Sequence, residues 1–281
     1  MTILLIIIGV ILGAVMGSFG LVLLDRWEDL KSVVTGRSMC LSCKHPLAAK
    51  DLIPLISYLS TKGKCRYCGV DIPMSCPITE IIMAVVFWLT TWWVTSTGSD
   101  TMIITLIAWW LINRSLTLMM IHDHNTHYLH WTAYVVSVVV AVWYTLGRHS
   151  DIVMTSLWSS AILGIVFGLI YVSGFAIHWI KYGTWEQGFG FGDVLMALVI
   201  WWIAPLVLWY DTLNMIGEWG ILTLVQLVLW YLVFSSTIGL LYRWWLWSHG
   251  DQEVEIAFLP GMVIWFWMYI AIVIQFSLFI R

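Results

Sequence analysis

Charge is the property that this sequence has least of. Asp, Glu, Lys and Arg make up 10% of the 281 residues, whereas apolar residues make up 61% and tryptophan alone occurs 21 times. Water-soluble globular domains carry about a quarter charged residues, so the composition excludes that class. We therefore expect lipid to be the solvent for most of the chain.

Uncharged runs long enough to cross a bilayer recur along the chain. A hydrocarbon core about 30 Å thick needs roughly 20 apolar residues per helix. Runs of about that length predict eight transmembrane helices, at 2–24, 78–96, 102–121, 131–146, 152–180, 194–210, 219–242 and 256–280. The predicted fold class is an all-α polytopic membrane protein with a first helix (1–24), a small loop domain (25–77) and a seven-helix membrane domain (78–281).

The distribution of positive charge predicts the orientation. The first apolar run lacks a basic leading segment and a small-residue cleavage signal, so we interpret it as a retained helix. Eight of the thirteen Lys and Arg residues lie between the first two helices: Arg26, Lys31, Arg37, Lys44, Lys50, Lys62, Lys64 and Arg66. The positive-inside rule then places loop 25–77 in the cytoplasm, together with loops 121–130, 181–193 and 243–255, and the N-terminus outside. Arg114, inside the third run, has no role in this scheme.

The cytoplasmic loop contains two CxxC pairs. Cys40 and Cys43 are followed, after 21 intervening residues, by Cys65 and Cys68. Four thiolates at this spacing suit a tetrahedral structural zinc, which supplies folding energy that a small polar loop cannot obtain from a core. Paired disulfides, free thiols and a thioredoxin-like site are the alternatives, and a reducing cytoplasm without a βαβ pattern disfavours the first and third. Cys76 is given no role.

Two aspartates lie where cytoplasmic loops meet apolar helices. Asp123 follows the third run and Asp193 precedes the sixth, so the topology brings both to one membrane face. Two carboxylates held close tend to share a proton, which supplies an acid and a base for hydrolysis by water. A plain helix N-cap is the alternative for Asp193. Gly190 and Gly192 belong to an alternating glycine run that allows a substrate chain to approach closely.

Four histidines surround Asp123 and raise the question of a second metal site. They are His122, His124, His127 and His130. No acidic ligand lies at a fixed helical spacing from them, so we favour an ordinary interfacial role.

Taken together, these motifs resemble the prepilin peptidases, the GxGD-type aspartyl enzymes of type IV pilus and type II secretion systems. The similar segments are Gly17-Ser-Phe19 with Asp25-Arg26, the cysteine loop with its Asp51-Leu-Ile-Pro54 run, Pro77-x-x-Glu80, Gly190-Phe-Gly-Asp193 and Phe258-Leu-Pro260. The family's Asp, five residues, Leu-Pro-Asp pattern is met at Asp123 and Leu129, but His130 and Trp131 replace its Pro and Asp.

The resemblance implies a function. Asp123 and Asp193 would be the catalytic pair that removes the basic leader of prepilins or pseudopilins at the cytoplasmic face of a bacterial inner membrane. It also implies N-methylation of the new N-terminus with S-adenosylmethionine, for which no binding residue is identified. We expect zinc in the loop, the lipid bilayer and prepilins as partners, and no nucleic acid. A transporter and a zinc-stabilised assembly scaffold are the rival functions, and the transporter lacks two corresponding halves.

Overall fold

The structure is a computed structural model that describes residues 2–26, 29–96, 101–126, 129–182 and 191–208, with 237, 241, 262–264, 266–268 and 271. Its helices are α1 (Thr2–Asp25), α2 (Leu30–Thr35), α3 (Ile56–Ser60), α4 (Ser75–Ser96), α5 (Met102–Thr126), α6 (Trp131–Arg148), α7 (Val153–Tyr182) and α8 (Phe191–Leu208). Within these residues the only β-type pairing consists of two isolated bridges, so the predicted all-α class is confirmed.

Four of the described helices are long and apolar enough to cross a membrane: Thr2–Asp25, Ser75–Ser96, Met102–Asp123 and Val153–Ser173. The predicted runs 131–146 and 194–210 correspond to α6 and α8, of 18 residues each. The predicted helices 219–242 and 256–280 lie almost wholly outside the described residues. The total of eight spans therefore stays a prediction.

Three helix ends differ from the predicted ones for one reason. α4 begins at Ser75 instead of 78, α5 continues to Thr126 instead of ending at 121, and α8 begins at Phe191 instead of 194. Hydropathy marks where a helix leaves the apolar core, whereas backbone hydrogen bonds continue into polar sequence. Asp123 consequently lies within α5, and only the short connection after Thr126 separates α5 from α6.

The chain divides into two compact units, Met1–Arg114 and Ser115–Arg281. In the first, α1 packs on α4 through a row of buried glycines one helical turn apart, Gly9, Gly13 and Gly17. A Cβ at Gly17 would lie 2.8 Å from the carbonyl oxygen of Thr79. Such small-residue rows let membrane helices approach to backbone contact.

In the second unit, serines of α7 hydrogen-bond to the backbone of α8. Pro205 lies inside α8 and has no N–H to donate to the carbonyl of Trp201, four residues earlier. Ser159 Oγ donates to that carbonyl at 2.9 Å, and Ser160 Oγ donates to the Leu198 carbonyl at 3.0 Å. The proline is thus tolerated because a neighbouring helix satisfies the oxygen that it leaves without a donor.

Candidate functional site

The four loop cysteines converge as the sequence predicts. The Sγ atoms of Cys40, Cys43, Cys65 and Cys68 all lie within 4.8 Å of one another, and Cys40 Sγ is 3.9 Å from Cys68 Sγ. A tetrahedral thiolate site with metal–sulfur bonds of about 2.3 Å needs sulfurs roughly 3.8 Å apart. The donor set and its spacing therefore fit a metal ion.

Each cysteine pair is held by the same backbone turn. Lys44 N–H donates to the Cys40 carbonyl at 2.9 Å, and Cys40 N–H donates to the His45 carbonyl at 3.0 Å. The equivalent bonds in the second turn are Gly69 N–H to the Cys65 carbonyl at 2.9 Å and Cys65 N–H to the Val70 carbonyl at 2.7 Å. Lys44 and Gly69 both have left-handed backbones, with φ of 57° and 75°. This local repeat, which periodicity in the sequence does not reveal, orients the two thiol pairs toward each other.

The backbone also promotes ionisation at one thiol. Backbone N–H groups of Cys43 and Ser42 lower the pKa of Cys40 to about 6. At Cys68 the Val70 N–H lowers the pKa, but desolvation and the three neighbouring sulfurs outweigh it and raise the pKa to about 11. Four thiolates cannot coexist so close without a cation, and a divalent metal would supply the missing charge.

Asp51 organises the segment between the cysteine pairs. Its carboxylate accepts hydrogen bonds from Arg66 Nε at 2.8 Å, Tyr67 Oη at 2.8 Å and the Ala48 N–H at 3.1 Å. Burial alone would raise the pKa of Asp51, but the bonds from Arg66 and Tyr67 outweigh it and lower the pKa below its usual value. The Arg-Tyr dipeptide inside the second CxxC thus ties the metal loop to the Asp51-Leu-Ile-Pro54 run, a pairing that the sequence analysis missed.

Glu80 anchors the same loop to α4. Its side chain is buried, and Oε2 accepts the Leu55 N–H at 2.7 Å. Leu55 has a left-handed φ of 59°, a conformation that a leucine keeps only where its surroundings fix it. The Pro77-x-x-Glu80 element therefore fixes the position of the loop at the start of α4.

Residues of the Gly17-Ser-Phe19 and Asp25-Arg26 segments also make structural contacts. Arg26 donates from Nη1 to the Ser32 carbonyl at 3.0 Å and from Nη2 to the Arg37 carbonyl at 3.1 Å, which ties the start of the loop together. The guanidinium carbon of Arg114 lies 5.7 Å from the ring centroid of Phe19. Arg114 Nε and Nη2 are buried and have no hydrogen-bond partner among the described residues. A cation–π contact with the motif phenylalanine is thus the interaction observed for this intramembrane arginine.

Asp123 and Asp193 both lie in the second unit, Asp123 near the end of α5 and Asp193 in the first turn of α8. The side chain of Asp193 is buried, and so is Oδ2 of Asp123. Asp193 is the third residue of α8 and not the residue that precedes it, so the N-cap alternative does not describe its position. Gly190 lies outside the described residues.

A contact between Gly192 and Leu129 connects the two aspartate-bearing segments. A Cβ at Gly192 would lie 3.3 Å from the Cβ of Leu129, six residues after Asp123. The glycine immediately before Asp193 therefore packs against the connection that follows Asp123. A larger residue there would push the start of α8 away from this connection.

His130, which follows Leu129, caps the next helix. Its Nδ1 accepts the Ala133 N–H at 3.3 Å, and its ring lies 4.9 Å from that of His122. Burial and then the nearby His122 lower the pKa of His130 below its usual value. Among the described residues no group of three histidine, cysteine or acidic side chains other than the four cysteines could hold a metal. The side chains of His124 and His127 lie outside the described residues.

Comparison with known proteins identifies a family domain and several curated proteins that are similar to this chain. Residues 11–94 match the bacterial peptidase A24 N-terminal domain. Over a larger part of its length the chain is similar to prepilin leader peptidases. It is 29% identical over 195 residues to a prepilin leader peptidase/N-methyltransferase of Aeromonas salmonicida, covering 66% of this chain and 62% of the relative.

Two further relatives carry similar names. A type 4 prepilin-like proteins leader peptide-processing enzyme of Escherichia coli is 26% identical over 181 residues, covering 63% of this chain and 62% of the relative. A prepilin leader peptidase/N-methyltransferase of Myxococcus xanthus is 38% identical over 78 residues, or 28% of this chain and 23% of the relative. The chain thus spans about 62% of the length of the first curated relatives it matches. No solved structure matches the chain.

Proposed function

We propose that the chain is an aspartyl endopeptidase whose catalytic pair is Asp123 and Asp193. The contact between Leu129 and Gly192 carries the proposal, because it ties the connection after Asp123 to the helix start that bears Asp193. Both aspartates belong to one compact unit, and each has a buried carboxylate oxygen or a buried side chain. Buried carboxylates at the end of apolar helices are costly to maintain and are commonly functional.

The chemistry follows from a shared proton. Two carboxylates that face each other retain one proton between them, so one is a base while the other is an acid. The first turn of a helix favours negative charge, and we therefore assign the base to Asp193. Asp193 takes a proton from water, the water oxygen attacks the scissile carbonyl carbon, and Asp123 donates its proton to the carbonyl oxygen. In the collapse of the tetrahedral intermediate, Asp193 gives its proton to the departing nitrogen, Asp123 takes a proton back from one hydroxyl of the intermediate, and the C–N bond breaks to give a carboxylic acid and an amine.

The substrate follows from the relatives. Their names specify prepilin leader peptides, and we extend that substrate class, including pseudopilins, to this chain. Cleavage would take place at the cytoplasmic face of a bacterial inner membrane, where the basic leader remains. The relatives' names also include N-methyltransferase, so we extend the proposal to methylation with S-adenosylmethionine without assigning a residue to it.

We propose zinc as the metal of the cysteine loop, with a structural role. Four thiolates complete a tetrahedral zinc and leave no open position for water or substrate. The ion would hold the two backbone turns together, and no step of the peptidase reaction uses it.

The test is cleavage of a detergent-solubilised prepilin by the purified full chain. We expect Asp123→Asn and Asp193→Asn each to abolish cleavage, and the double variant to be hardly slower than either, because a proton-sharing pair works as one unit. Asparagine keeps the size of the side chain and removes the charge that activates water. Near-parental cleavage by a folded Asp193→Asn chain would refute the catalytic pair.

A matched control separates loss of chemistry from loss of structure. Asp211 is an acidic residue outside both motifs, and Asp211→Asn should cleave normally. The zinc-to-chain ratio of each variant reports whether the loop remains folded. A transporter or a scaffold would leave the prepilin at its full length in every sample, including the parent chain.

A further inference from the structure

The loop presents an apolar surface that the proposed reaction does not use. Leu52, Ile53, Ile56 and Leu59, which we call the apolar tip, are 45%, 44%, 63% and 74% exposed. They lie between the two cysteine pairs, in and beside α3. Large apolar residues clustered on a surface usually mark a contact with another molecule or with lipid.

Two hydrogen bonds fix the apolar tip at the membrane end of α4. Leu55 N–H donates to Glu80 Oε2 at 2.7 Å, and Tyr58 Oη donates to Met74 Sδ at 2.9 Å. Met74 directly precedes α4, and Glu80 is its sixth residue, about 7.5 Å along the axis at 1.5 Å per residue. Because α4 is long and apolar enough to span a bilayer, we place this end of the helix at the depth of the lipid headgroups.

The charges around the apolar tip complement an anionic surface. Lys50 and Lys62 flank it and are exposed. The acidic residue in this stretch, Asp51, is already paired with Arg66 at 2.8 Å. Apolar side chains bordered by lysines are typical of segments that lie in the headgroup region of a leaflet containing anionic lipid.

We propose that the apolar tip inserts into the headgroup region of the leaflet on the loop's side, with Lys50 and Lys62 contacting anionic lipid. This contact adds a third attachment of the loop to the membrane, beside α1 and α4. It restricts the motion of the cysteine loop relative to the lipid surface. The proposal depends on the geometry of the loop and not on the peptidase activity.

Fluorescence quenching by brominated lipid measures how deeply the apolar tip inserts into the membrane. The full chain is reconstituted into nanodiscs with an environment-sensitive fluorescent amino acid, incorporated genetically at Leu59 or Ile56, so that no cysteine is changed. Leu41, equally exposed at 74% but placed within the first CxxC, is the matched control. We expect lipids brominated near the headgroup end of the acyl chain to quench positions 56 and 59 at least about twofold more than position 41.

Changing the lipid composition and adding a substrate show whether the apolar tip contacts lipid or a protein. Raising the anionic lipid fraction should strengthen quenching at position 59, and Lys50→Gln with Lys62→Gln should remove that dependence. Equal quenching at 41, 56 and 59 would overturn the proposal. A change at position 59 that appears only when prepilin is added would also overturn it, because the apolar tip would then be a protein-binding surface. Cleavage activity is measured separately, so failure of one proposal does not imply failure of the other.

Discussion

Replacing Gly13 in α1 by alanine tests whether α1 and α4 pack at backbone distance. A Cβ at this position would lie 2.9 Å from both Ala84 Cα and the Met83 carbonyl carbon, and closer still to the Met83 oxygen. Carbon atoms in favourable contact are about 3.5–4.0 Å apart, so the helices must separate by roughly 0.6–1.1 Å. The opposing atoms belong to the backbone, and no side-chain rotation can relieve the overlap.

The size of the effect follows from this displacement. A gap of that size forfeits about a quarter to a half of the dispersion energy at each affected contact, and overpacked sites lose about 1–3 kcal/mol. Alanine is a better helix former than glycine by up to about 1 kcal/mol, which opposes the loss. We expect Gly13→Ala to lower the free energy of unfolding by up to about 2 kcal/mol, which is the overpacking loss less the gain in helix propensity.

Reversible unfolding of the full chain in mixed detergent and dodecyl sulfate micelles measures that free energy. Gly168→Ala in α7 is the matched control, since no described atom lies within 4 Å of its added Cβ, and it should be neutral or slightly stabilising. Gly9→Ala should also be destabilising, because its added Cβ would overlap Oγ1 of Thr91, which donates to the Phe87 carbonyl and accepts from Trp110 Nε1. If Gly13→Ala proved as stable as Gly168→Ala, the close packing of α1 on α4 would be wrong.

Three further predictions concern the loop and the α5–α6 connection. Asp51→Asn should lower the free energy of loop opening, measured by hydrogen exchange, by about 2–3 kcal/mol because charge-assisted bonds are lost. Asp71→Asn, whose 3.8 Å pair with Lys64 is exposed, should change it by less than about 1 kcal/mol. Elemental analysis should give about one zinc per chain. Cys65→Ser should release the zinc and expose the loop to protease. A metal-free chain whose loop is fully protected from protease would contradict the zinc site. Folding lowers the pKa of His130, so the folded state favours the uncharged side chain. The stability that this preference contributes is complete above the ordinary pKa of 6.5 and is lost as the pH falls through the pKa of the folded state. His130→Asn keeps an N-capping side chain and should remove that pH dependence from hydrogen exchange in α6, whereas the same change at His149, the C-cap of α6, should not.

The sequence predicted the helices and the metal site because both depend on local patterns. Apolar runs located six described helices, and the CxxC spacing identified four cysteines that do converge. Helix ends were less predictable, because Pro77 is compatible with a first helical turn and polar residues after 121 continue α5. The assignment of Asp123 and Asp193 stays a prediction.

Pairings between distant residues could not be read from the sequence. Glu80 binds a backbone N–H 25 positions earlier, and Asp51 binds a tyrosine 16 positions later. No sequence pattern predicts these pairs, because any N–H or hydroxyl in the loop could donate a hydrogen bond to a carboxylate. The role of His130, where the resembled pattern has proline, also could not be predicted from the sequence. In the structure its side chain is the N-cap of α6, a role that proline cannot perform.

The motif residues of the first unit make structural contacts. In the first unit, Gly17 packs on the backbone of α4, Arg26 binds loop carbonyls, Asp51 binds Arg66 and Tyr67, and Glu80 binds a backbone N–H. Each of these groups holds the loop or the contact between α1 and α4 in place, which accounts for its position without a role in hydrolysis. Asp123 and Asp193 are the motif carboxylates that belong to the second unit instead. Variants of Asp51 and Glu80 should therefore lose activity only in proportion to loop opening, whereas variants of the two proposed catalytic residues should lose activity in a folded chain.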